Sequence, residues 1–298
     1  MIMRLAGGPR MAVERAAPKF EVPPDVYLGA FVVITLVVSW SISLLIVTDS
    51  IPGYTTTVLM LTPAVVVLAL RRIQGQSIVG TIVSSIRGAT IPSLGFAFLY
   101  PVLFIGSVGA IALASGLGVY QPGPQNFVVM VIEQFGFAVL AIVLFEQLVR
   151  MYGEELGWRG YLLPALTEKW GRAGATAAVG VVWALFHSAF LYRAAAVTGV
   201  GDPLTVAVVQ AIAVFAISFP FAYCYFLSNG SVLPVAILHL VWNILNPWVL
   251  GSIYANEQGF IAGEVFLVTG EGILGAVFGL VMIAVFIVLF RREVLIRS

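Results

Sequence analysis

Residues 127–159 read FVVMVIEQFGFAVLAIVLFEQLVRMYGEELGWR. The part up to Arg150 is almost wholly apolar and long enough for a membrane span, which needs about 20 such residues. The run then passes into Tyr152-Gly153-Glu154-Glu155-Leu156-Gly157-Trp158-Arg159 without a proline or a polar linker. Ionisable groups in a low-dielectric medium are costly and persist mainly where they are used. On a helix Glu154 and Glu155 point about 100° apart. Glu155 and Arg159, spaced i, i+4, pair on one face, and Glu154 is left free on another. Glu146, Arg150 and Glu154 repeat the same spacing, so the helix is predicted to continue through the motif toward Pro164.

The rest of the chain fits this setting. Apolar residues make up 60% of the 298 and charged residues 10%, with mean hydropathy +1.04. A soluble domain carries about 25% charged residues. The chain therefore reads as an all-α polytopic membrane protein. Eight spans are expected, at 26–47, 57–70, 92–115, 127–150, 174–191, 204–227, 232–250 and 272–290. The second is expected to extend toward Ile51. The mixed segment 75–90 is expected to lie along the interface. Residues 1–25 form a basic cytoplasmic tail, 26–291 a single bundle with its core at about 127–250, and 292–298 a short cytoplasmic tail. Every lysine and arginine except Arg193 then falls on the inner side, which sets both termini in the cytoplasm. The expected location is the cell membrane, with the site toward the cytoplasmic side. A net charge of +1 argues against nucleic-acid binding. The single Cys224 excludes an internal disulfide and a cysteine-based zinc site.

The chain has only two histidines, and each lies in an apolar span. His187 follows Trp183 by one helical turn. His239 and Asn243 are spaced i, i+4, and Asn246 continues their stripe. A lone histidine or asparagine of this kind often serves only to bond one helix to another. Together, a carboxylate and a histidine can activate water for attack on a carbonyl. A histidine and an amide can donate to the oxyanion that forms. Glu133, inside the fourth span, would line the cavity or cap the outer end. Gly153, Gly157 and Gly160 would admit another backbone, a substrate among the candidates. Gly275-x-x-x-Gly279 reads as helix packing.

The ordered set Glu154-Glu155-x-x-x-Arg159, His187, His239-x-x-x-Asn243 resembles the CPBP family, the CAAX-protease and bacteriocin-processing intramembrane endopeptidases, also called Abi proteins. The resemblance covers about residues 130–250. It departs from the family at Trp183, where phenylalanine is common, so altered packing is expected there. The resemblance implies a peptide hydrolase in which Glu154 and His187 activate water and His239 and Asn243 hold the oxyanion. Glu155 and Arg159 would support the motif helix. Glu154, His187 and His239 would also make a zinc triad; metal-free chemistry is favoured because Asn243 is a poor zinc ligand. The implied partners are the bilayer and a peptide or membrane-protein substrate. Two other classes use similar groups: a proton-coupled carrier, and a non-catalytic immunity or scaffold protein. The lack of an internal repeat speaks against the carrier.

Upright spans create a conflict. Glu154 would sit at the inner end of span four, His187 about 20 Å into span five, and His239 about 10 Å into span seven. Their convergence requires span five to begin below the membrane surface or the motif helix to tilt into the bundle.

Overall fold

The computed structural model describes residues 23–45, 53–122 and 127–297. The basic tail up to residue 22 and the expected extension to Ile51 lie outside them. Its elements are α1 (Asp25–Leu45), α2 (Gly53–Ile73), α3 (Ile78–Ile86), α4 (Ile91–Ala114), β1 (Gly118–Tyr120), α5 (Phe127–Gly157), a π-helical turn (Trp158–Leu162), α6 (Leu163–Thr198), α7 (Pro203–Leu227), α8 (Leu233–Val249), β2 (Ile261–Gly263), α9 (Val265–Val268) and α10 (Ile273–Arg297). The protein is an all-α membrane protein. The described strands form one antiparallel ribbon, with Gly118 opposite Gly263.

Six described helical runs are long and apolar enough to cross a membrane. They are Asp25–Leu45, Thr55–Ile73, Ile91–Ala114, Met130–Thr198, Pro203–Leu227 and Val265–Arg291. Leu233–Val249 is shorter. The stretches expected to be spans four and five are the two arms of the Met130–Thr198 run. The arms meet at Gly171, with φ 66° and ψ 175°. That backbone region is essentially open only to glycine, and nothing crowds the position.

The turn at Gly171 resolves the conflict in the sequence reading. The helix continues past Tyr152, as the Glu146–Arg150–Glu154 spacing predicts. It runs through the motif and the π turn to Trp170, then reverses. Glu154 lies seventeen residues before Gly171 and His187 sixteen after it, about 25 Å of helix on each arm. Span five thus begins well below the site.

The ends of the bundle can be assigned by contact. Asp25 pairs with Lys169. Arg71 lies 5.0 Å over the Tyr161 ring and Arg172 4.7 Å over Phe226. These basic groups share the end of the bundle where α1 starts. Two others, expected at that boundary, are not there. Arg159 is fully buried. Arg150 bonds Thr57 at 3.2 Å, near the opposite end, where α2 starts.

Close helix contact explains the motif glycines. A Cβ on Gly157 would lie 2.4 Å from Pro63 Cβ, and one on Gly153 2.7 Å from Leu61 Cδ2. The Gly160 position faces Leu156 and Val232. The approaching partners are thus the chain's own side chains, mainly from α2, in place of the expected substrate. Gly275 likewise packs on the backbone of Gly270. In α3 no residue is buried. This helix is tied to the bundle by Ser85, whose hydroxyl meets Tyr152 Oη at 2.5 Å.

Candidate active site

Glu154 and Glu155 lie on the last turn of α5, and Arg159 in the π turn that follows. Glu154, Glu155 and Arg159 are all fully buried. A surface ion-pair role for the motif is therefore excluded. Arg159 Nη1 donates to Glu155 Oε2 at 2.9 Å. Its guanidinium lies 4.1 Å from the Trp183 ring centroid and 4.9 Å from that of Phe221. The aromatic faces compensate the cation where Nε and Nη2 have no hydrogen-bond partner.

Glu154 points away from this pair. Its Oε1 accepts the Trp183 indole N–H at 2.5 Å and the Trp158 indole N–H at 3.4 Å. His187 Nε2 stands 3.7 Å from the same oxygen. Oε2 is buried and has no partner among the described residues. A carboxylate held at one oxygen and open at the other is oriented for a ligand or a proton.

The two histidines are fixed in different ways. His187 Nδ1 lies 3.0 Å from the Trp183 carbonyl, an acceptor. When the ring is neutral, a proton on Nδ1 satisfies that carbonyl and leaves the Nε2 lone pair on the Glu154 side. His239 Nδ1 lies 2.9 Å from Glu155 Oε1. Its ring sits edge-on to Trp183 and Phe221, at 5.8 and 5.4 Å. Glu155 thus bridges Arg159 and His239, joining α5 to α8. Asn243, one turn past His239, is exposed to the cavity, with Nδ2 3.3 Å from Met151 Sδ.

Glu154, Trp183, His187, His239 and Asn243 line one cavity of about 330 Å³. Its wall continues through Thr56, Gln210, Ser252, Tyr254 and Glu271. Those residues lie toward the end of the bundle opposite Asp25. Glu133 is exposed and does not line the cavity. No three described His, Cys, Asp or Glu side chains gather as a metal cluster.

Residues 134–245 match the family model described as Rce1-like, type II CAAX prenyl endopeptidase. That segment of the chain is similar to the CAAX-protease family. That family implies a protease, and the matched segment holds Glu154, Glu155, Arg159, His187, His239 and Asn243. No curated protein matches the chain.

Sequence reasoning misses four groups in this cavity. Trp183, expected only to alter packing, donates to Glu154, which the usual phenylalanine cannot do. Gln210, Tyr254 and Glu271 went unremarked. Gln210 is the one amide in an apolar run, and that was its available signal. Glu271 sits between glycines in a short connection, where no helical spacing marks it.

Proposed function

We propose that the protein is an intramembrane endopeptidase that hydrolyses a peptide bond with water activated by Glu154 and His187. The observation that carries this reading is the free, buried Oε2 of Glu154 in a cavity shared with both histidines. Two basic lone pairs, on Glu154 and on His187 Nε2, suit the two hydrogens of one water. Glu154 takes a proton as the water oxygen bonds to the scissile carbon. The carbonyl π electrons move to oxygen. Asn243 Nδ2 donates to that oxyanion, and His239 Nε2 does so when its ring carries a second proton. The oxyanion re-forms the carbonyl as the C–N bond breaks and the proton on Glu154 passes to the leaving nitrogen, giving a carboxylic acid and an amine and restoring the Glu154 carboxylate.

In this mechanism Glu155 and Arg159 are positioning groups. Glu155 holds His239 by Nδ1, so the Nε2 edge is the one available to substrate. No step uses a metal; the zinc triad of Glu154, His187 and His239 is the competing ligand set.

The eight expected stretches are proposed as eight spans in the cell membrane. The clustering of Arg71, Lys169 and Arg172 at the Asp25 end supports cytoplasmic termini. The lining residues Thr56, Tyr254 and Glu271 lie toward the other end, so that orientation places this part of the cavity nearer the outer side. Placing it nearer the cytoplasm would need the opposite orientation. The test of function is a comparison of membrane proteomes carrying the wild-type chain or Glu154→Gln. A cleavage product present only with wild type is the expected result; identical peptide profiles would contradict the proposal.

A further inference from the structure

A second polar cluster closes the far end of the cavity, and the catalytic reading gives it no work. Glu271 Oε1 accepts the Trp242 indole N–H at 3.2 Å. Glu271 Oε2 accepts from Tyr254 Oη at 2.8 Å and from Gln210 Nε2 at 3.2 Å. All three donors are neutral. Gln210 is fully buried, and its Oε1 has no partner. Asn246 Oδ1 accepts Gly270 N–H at 2.9 Å, which fixes the backbone beside Glu271. Phe190 packs on Tyr254 with centroids 5.9 Å apart. Gln210, Tyr254 and Glu271 all line the catalytic cavity. Tyr254 and Glu271 lie beyond the matched family segment.

The cluster therefore offers one charged acceptor and one vacant neutral acceptor. A group with several N–H donors and a positive charge is its complement. The distance to the scissile site can be bounded along two helices. His239 and Asn246 are seven residues apart on α8, and Gln210 and Phe221 eleven apart on α7. These spacings correspond to about 10–16 Å, or about three to five residues of extended peptide.

We propose that Gln210 and Glu271 form a binding subsite for a lysine or arginine side chain of the substrate. That side chain lies about three to five residues from the bond cleaved. The assignment rests on the endopeptidase reading for the position of the cleaved bond, but not for the cation itself.

The test uses binding, so that it stands apart from turnover. N-acetylated octapeptide amides carry a single lysine or a norleucine at each position in turn. They are titrated against purified full-length Glu154→Gln protein and against Glu154→Gln/Glu271→Gln. The expected result is about tenfold tighter binding of a lysine peptide than its norleucine partner. The preference should vanish in the double variant. If that variant does not fold, Glu154→Gln/Gln210→Leu serves instead and should reduce the preference. Equal binding of each pair by Glu154→Gln protein, or a lysine preference that survives loss of Glu271, overturns the subsite. Lysine-selective binding without cleavage by wild type would instead contradict the endopeptidase reading and leave the subsite standing.

Discussion

His187 Nε2 stands 3.7 Å from Glu154 Oε1 because the two residues are almost equidistant from Gly171, the point where the chain reverses. The register of one long hairpin thus sets the acid–base pair. Gly171 holds φ 66° and ψ 175°. Substitution by alanine should cost about 1–3 kcal/mol of stability. Thermal unfolding in detergent would check this, and an unchanged melting temperature would show that the turn carries no such constraint.

Trp183 should affect catalysis through its N–H. A hydrogen bond to a charged group is worth about 1.5–3 kcal/mol. Trp183→Phe keeps a ring for Arg159 and His239 but leaves Glu154 Oε1 with Trp158 as its indole donor. The expected outcome is a fall in kcat of about 10- to 100-fold, with a stability loss of no more than about 1.5–3 kcal/mol. Steady-state kinetics beside a melting curve would separate this from a packing defect.

Glu155 holds the buried Arg159 and His239 at once. Removing one member of a buried ion pair costs about 3–5 kcal/mol. Glu155→Gln should therefore lower folded yield and melting temperature more than it lowers the activity of the protein that does fold. Wild-type stability in this variant would remove the positioning role.

Metal dependence is open to direct measurement. The bond from His239 Nδ1 to Glu155 leaves Nε2 for an oxyanion or a metal ion alike, and zinc-free work by Glu154 and the two histidines is expected because Asn243 is a poor zinc ligand. Purified active protein should contain far less than one equivalent of zinc by elemental analysis, and its activity should survive a chelator. Stoichiometric zinc with chelator-sensitive cleavage would establish the competing triad.

Several of these features were legible in the sequence for local reasons. The Glu155–Arg159 pair follows from i, i+4 spacing, and the apolar spans follow from their length. The separation of Glu154 from Glu155 follows from the helical angle between neighbours. The reversal at Gly171 was not legible. The segment around it mixes Lys169, Trp170 and Arg172 with glycines, and several turn positions fit that pattern. The inner-end placement of Arg150 failed for the same reason, because it assumed an early turn. Trp183 showed as a departure from the family, but its hydrogen bond depends on the hairpin register. The Gln210–Tyr254–Glu271 cluster joins α7 to a loop more than forty residues away, and no local pattern encodes such a contact.

The most direct measurement is the cleavage rate of a substrate, identified from membrane proteomes, by wild-type and Glu154→Gln protein in proteoliposomes. The two proteins are to be matched for melting temperature. Loss of the base should reduce the rate by about 10²–10⁴-fold. A folded Glu154→Gln protein that cleaves at the wild-type rate would contradict the assignment of Glu154 as the group that activates water.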